Sequence, residues 1–176
     1  MGVTHASPSH GATCLHVAAA SSTFEVTDYL ISQGGDVNAK DVDSVTPLFL
    51  AAKNNNVKVM EALHAAGADI NIRNAISADA LYVASQLGRT EAVKLLLSWG
   101  SDPSDTTCGA MPADPSTDTP AQPGVSPVHV ASMMGHLPVL ELLLPVLPKL
   151  PTGGPHELSP LHYGERGSHG CKQSGN

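Results

Sequence analysis

Two short phrases recur along this chain at one spacing, and that spacing constrains the fold more than any other feature. Thr46-Pro47-Leu48-Phe49-Leu50-Ala51-Ala52 is preceded by Thr13-Cys14-Leu15-His16-Val17-Ala18-Ala19. It is followed, after an equal step, by Asp79-Ala80-Leu81-Tyr82-Val83-Ala84-Ser85. The same step separates Ser126-Pro127-Val128-His129 from Ser159-Pro160-Leu161-His162. A second phrase keeps the beat: Gly34-Gly35-Asp36-Val37-Asn38-Ala39, then Gly67-Ala68-Asp69-Ile70-Asn71-Ile72, then Gly100-Ser101-Asp102. A fixed period of roughly 20–50 residues is the mark of stacked units that bury their apolar faces against one another.

Each unit carries its own punctuation. Thr13, Thr46, Asp79 and Ser126 are side chains that accept a bond from a free backbone N–H and so start a helix. Pro47 suits the first helical position, which needs no N–H. Gly34 and Gly67 suit the left-handed residue that ends a helix. Between them lie apolar residues at helical spacing. In the first unit these are Phe24, Val26, Leu30 and Ile31, all expected to face the core. Val57, Val59, Met60 and Leu63 follow in the second, and Ala92, Val93, Leu95, Leu96 and Leu97 in the third.

The phrases T-P-L-H-x-A-A and G-A-D-V-N-A at this period resemble the ankyrin repeat over residues 11–144, and partly beyond. The resemblance implies an all-α solenoid of helix-turn-helix units joined by short β-hairpin loops. Departures are local. Cys14 stands for the family's proline, and Phe49 and Tyr82 for its histidine. Ser44, Ser77 and Asn55 stand where the family has glycine at positive φ. Serine tolerates that conformation less well than asparagine, so local strain is expected.

The period then breaks. The interval from Gly100 to Ser126 is more than twice that from Gly67 to Asp79. The excess falls in 104–122, rich in Pro, Ser, Thr and Asp, and is expected to be a disordered insert. The layers on either side are still expected to stack, because loop closure costs rise slowly with length. Residues 1–10 are read as an N-terminal flank. Residues 145–163 are read as an extended, proline-stiffened connector with Leu147 and Leu150 exposed, then a partial fifth repeat. Residues 164–176 are read as a disordered tail. With no apolar pattern after Tyr163, the last unit is expected to lack its second helix and a polar cap.

Composition limits the function. A net charge of −7 disfavours nucleic acid and anionic membranes as partners. The three cysteines, Cys14, Cys108 and Cys171, form no metal-type pair and are read as reduced thiols in an intracellular, cytoplasmic setting. The motif histidines His16, His129 and His162 sit in different layers and are expected to brace turns, as the resemblance implies. Asp36, Asp69 and Asp102 are expected to bond turn backbone. No catalytic triad order, phosphate loop or CxxC pair occurs, so no enzyme activity, cofactor or metal site is expected.

The positive expectation is protein recognition. Stacked repeats make a continuous concave face. Mapped from the family's pattern, the tip positions include Val42, Asp43, Val45 and Ile76. The first-helix positions are Lys53, Asn54, Gln86, Leu87, Met133 and Met134. Val42, Ile76, Leu87, Met133 and Met134 are apolar where a purely solvated face is charged, and are expected to form one stripe for a partner protein. A monomer is expected, with self-association through the uncapped end. The alternative is a truncated or regulatory part of a larger ankyrin-containing enzyme, channel or ubiquitin-ligase adaptor.

Overall fold

The computed structural model describes residues 11–105 and 124–147. First helices begin where the capping side chains stand. Thr46 Oγ1 accepts from Phe49 N–H at 3.2 Å, and Asp79 Oδ1 from Tyr82 N–H at 2.7 Å. Ser126 Oγ accepts from His129 N–H at 3.4 Å. These caps open α3 (Pro47–Lys53), α5 (Ala80–Gln86) and α7 (Pro127–Met134), while Thr13 precedes α1 (Cys14–Ala20). The partner helices are α2 (Phe24–Ser32), α4 (Val57–Ala65), α6 (Thr90–Ser98) and α8 (Leu137–Leu143), the last followed by a 3-10 turn at Leu144–Val146.

The units stack in two rows. α1, α3, α5 and α7 pack side by side, and α2, α4, α6 and α8 form the second row behind them. One apolar core threads the four layers. Ala19, Ala51, Ala52, Ala84 and Ala131 are fully enclosed, which lets adjacent helices approach closely. Leu48, Leu63, Leu81, Leu96 and Leu143 fill the spaces between them, each contributing about 1.5–3 kcal/mol by leaving water. α7 packs on α5 despite the long intervening stretch. The insert itself, apart from Ser104 and Asp105, lies outside the described residues.

Side-chain bonds at the helix ends lock each layer to the one before. The last carbonyls of a helix have no partner within it. Asn56 Nδ2 donates to the Ala19 carbonyl at 2.7 Å, and Asn54 Nδ2 to that of Ala20 at 2.9 Å. Arg89 Nε donates to the Lys53 carbonyl at 2.9 Å. His136 Nε2 bonds the Gln86 carbonyl at 3.0 Å. Each of these carbonyls ends a first helix. Gly88 allows the last contact twice over: its φ is +68°, and a Cβ there would lie 2.8 Å from His136 Nδ1.

Several expectations need correction. Phe24 and Val26 are 37% and 48% exposed, and Thr27 is the buried residue of α2. The residues matching Val26 in later layers, Val59, Ala92 and Val139, are all buried against a preceding layer. No described layer precedes α2, so among the described residues none covers Val26 from that side. Pro145 and Val146 continue as a 3-10 turn instead of an extended connector, since the fixed φ of proline suits a helical turn as well as an extended chain. Leu147 is half-buried against the core. The loops that reverse the chain between units are short, and no strand is assigned among the described residues. The expectations for residues 1–10, Leu150, the fifth repeat and the tail lie outside the described residues.

The strained turns are as the substitutions for glycine imply. Ser44, Asn55 and Ser77 have φ of 56°, 58° and 61°, and Ser22 joins them at 59°. Left-handed backbone costs a non-glycine residue roughly 1–2 kcal/mol, and asparagine less. Ser44→Gly and Ser77→Gly are therefore expected to raise unfolding stability by about 0.5–1 kcal/mol each after the added freedom of the unfolded chain is deducted. Asn55→Gly is expected to be nearly neutral or unfavourable, because Asn55 Oδ1 also accepts from Ala92 N–H at 3.0 Å. Urea unfolding of the three variants checks the order.

Candidate partner-binding face

The tips are built by one side chain each. Asp41 Oδ1 accepts from the N–H groups of Asp43 and Val45 at 2.9 and 2.8 Å. One repeat further on, Asn74 Oδ1 accepts from Ile76 and Ala78 at 3.1 and 2.9 Å. Backbone bonds from Asp41 N to Val45 O and from Asn74 N to Ala78 O close both loops. The two tips are then stitched together, Ala75 N–H donating to the Asp43 carbonyl at 2.8 Å. A loop held this way presents its side chains in a fixed place. Val42 is 66% exposed and Ile76 is 65% exposed, both at the stitched tips.

Below the tips, the substituted motif positions form a second small core. Phe49, Ala78 and Val83 are buried together, with Val45 and Tyr82 packed against them. Val45 thus belongs mostly to the base of the tip, because the ring that replaces histidine at position 49 needs apolar neighbours. Where histidine is kept, it braces the turn. Thr13 N–H donates to His16 Nδ1 at 3.1 Å, so Nδ1 is the acceptor and Nε2 carries the proton donated to the Val45 carbonyl at 2.9 Å. Ser126 N–H meets His129 Nδ1 at 3.3 Å in the same way.

The remaining candidates lie at the other end of the first helices. Lys53, Asn54, Leu87, Met133 and Met134 are exposed, and Gln86 is half-buried. Asn54 commits its amide to the Ala20 carbonyl, and the Gln86 carbonyl is bonded by His136. A seven-residue helix rises about 10 Å, so tips and helix ends form two parallel rows instead of one stripe. The upper row is Val42, Asp43 and Ile76. The lower is Lys53, Leu87, Met133 and Met134. A cleft of about 210 Å³ lies elsewhere, at the starts of α2 and α4, lined by Ser22, Phe24, Asn56, Val57, Lys58 and Val59.

The acidic ladder is turn chemistry. Asp36, Asp69 and Asp102 each accept from the N–H two residues on, at 2.9, 2.9 and 2.8 Å. Among the described residues no three His, Cys, Asp or Glu side chains group to hold a metal ion. Asn38 instead clamps two layers, its Nδ2 donating to the Gly67 carbonyl at 3.2 Å and its Oδ1 accepting from Asp69 N–H at 2.8 Å. Sequence reasoning overlooked the donors Asn56, Arg89 and His136. Their signal was present: each follows the positive-φ residue that separates the two helices of its unit.

A family model described as ankyrin repeats, in three copies, matches residues 15–107. The chain belongs to the ankyrin-repeat family. No curated protein gives a significant match. The matched span holds α1 to α6, and α7 and α8 continue the ankyrin stack beyond it. Ankyrin repeats are a protein-interaction architecture, and no helix among the described residues is long and apolar enough to cross a membrane.

One charge in this ankyrin face is out of its ordinary state. Burial raises the Asp79 carboxyl above its usual 3.8; the Tyr82 N–H opposes the rise, Asp105 adds to it and Arg73 opposes it. Arg73 is itself paired with Asp105. A raised folded-state pKa means the folded chain binds the proton more tightly than the unfolded chain. That contribution is complete below 3.8 and is lost as pH rises through the raised value, leaving a cost at neutral pH. Asp79→Asn is expected to keep the cap, raise the unfolding midpoint at pH 7 and flatten the pH dependence just above 3.8. Asp79→Ala is expected to lose about 1 kcal/mol at pH 7, because the cap goes as well. Thermal melts from pH 3 to pH 7 separate the two effects.

Proposed function

We propose that this ankyrin-repeat chain is a non-catalytic recognition module, an adaptor that holds another protein along the concave side formed by its tips and first helices. What carries the reading is the pair Val42 and Ile76: two β-branched apolar side chains, both about two-thirds exposed, on tips that are bonded internally and to each other. Pre-ordered apolar groups lose little freedom on binding, which is what a contact surface needs. Met133 and Met134 add deformable apolar area on the lower row. Asp43 and Lys53, of opposite sign on the two rows, orient the partner.

Ile76→Asp combined with Met133→Asp is expected to abolish capture of partners from lysate while leaving helical circular dichroism unchanged, since both residues are exposed. Loss of a few core contacts typically weakens an interface by about 2 kcal/mol or more each. Equal capture by wild type and double variant overturns the concave-face assignment. Loss of the helical signal in the variant shows that these side chains are needed for folding and removes them from the surface map.

A further inference from the structure

A second surface lies at the end of the first helices away from the tips, in the cleft of about 210 Å³ at the starts of α2 and α4. A difference between layers opens it. In the next gap along the stack, Asn55 Oδ1 crosses to α6 and accepts from Ala92 N–H at 3.0 Å. One repeat earlier, the residue matching Asn55 is Ser22, in the same left-handed conformation, and the residue matching Ala92 is Val59. The serine side chain is too short to cross. Its Oγ donates instead to Asn56 Oδ1, while Asn56 Nδ2 is held by the Ala19 carbonyl at 2.7 Å. Val59 is 1% exposed, and among the described residues no acceptor reaches its N–H. The space that an asparagine side chain crosses between α4 and α6 is therefore open between α2 and α4.

The lining limits what fits. Phe24 and Val57 hold matching positions in successive layers, and the third layer has Thr90 there, so the apolar wall stops at this cleft. Phe24 is more than a third exposed and Val57 is half-buried. The volume falls below the roughly 300–1,000 Å³ of small-molecule pockets and suits one anchoring side chain. Lys58 is the one charged residue in the lining, exposed and in no ion pair among the described residues. Glu91, at the matching position in the next layer, is already bonded to Lys94, and Glu25, at that position in the layer before, is outside the lining. We propose that this cleft docks a partner peptide in which an apolar side chain, aromatic or branched, stands next to an acidic residue. The apolar side chain lies against Phe24 and Val57, and the carboxylate pairs with Lys58. The anchor supplies most of the affinity, and the charge at the rim sets encounter and orientation. Because the cleft is at the other end of the first helices from Val42 and Ile76, it engages its peptide independently of the tips.

A random heptapeptide library displayed on phage is the probe. It is depleted on the full chain carrying Ser22→Asn and then selected on the unaltered full chain. Ser22→Asn is expected to keep the fold and raise the unfolding midpoint, since the longer side chain reaches Val59 N–H as Asn55 reaches Ala92, and asparagine tolerates positive φ. If that variant fails to fold, Phe24→Ala takes its place in the depletion. Selected peptides are expected to share an apolar residue beside Asp or Glu. Their affinity, read by fluorescence polarisation, is expected to fall about tenfold or more in Ser22→Asn and about three- to tenfold in Lys58→Glu, and to be unchanged in Ile76→Asp. No enriched peptide, or a shared pattern without an acidic residue, overturns the proposal. So does equal affinity for the Lys58→Glu chain, or a loss of affinity in Ile76→Asp, which assigns the peptides to the tips. Self-association that Ser22→Asn abolishes assigns the cleft to a second copy and also overturns the proposal.

Discussion

The stack depends on how the loose carbonyls at the ends of the first helices are satisfied. Each such helix is only about two turns long, so a large share of its carbonyls lack an internal partner. In an isolated unit those groups would face water and the helix would be marginal. Here the next layer supplies the donors: Asn56 to Ala19, Arg89 to Lys53, His136 to Gln86. A helix too short to stand alone is completed by its neighbour. Cooperativity between layers follows from that dependence, together with the leucine and alanine core that runs through all four.

The same logic explains why three chemically different donors serve one role. The position needs an N–H that reaches about one helix diameter sideways and requires no particular charge. An amide, a guanidinium and an imidazole all provide it. What the position does demand is a backbone that turns sharply just before it, hence the left-handed residues Ser22, Asn55, Gly88 and Gly135. Only at Gly88 does the space itself forbid a side chain, because the His136 ring occupies it. The tips repeat the theme on the other side of the helices, where Asp41 and Asn74 each gather two N–H groups and leave their neighbours Val42 and Ile76 standing out.

Much of the fold was legible in the sequence. The repeat period, the caps at Thr46, Asp79 and Ser126, and the stop glycines are short-range signals, and local chemistry acts on them directly. The strain at Ser44, Asn55 and Ser77 was legible for the same reason. The candidate face was legible in part. Exposure of Val42, Ile76, Leu87, Met133 and Met134 follows from repeat position, but Val45 is drawn under Tyr82 and Phe49, and Asn54 is bonded across the layer. Those two depend on what the adjacent layer places nearby, which no single unit reveals.

The sequence by itself determined the unit: its length, where each helix starts and stops, and which residues can pack. It did so because capping, turn conformation and apolar spacing act within a few residues of one another. Only the tertiary structure decided how much of each face is used. Val26 and Val59 hold the same place in the repeat, yet one is half in water and the other buried. The difference is the presence of a preceding layer, and burial is a property of the neighbour as much as of the residue.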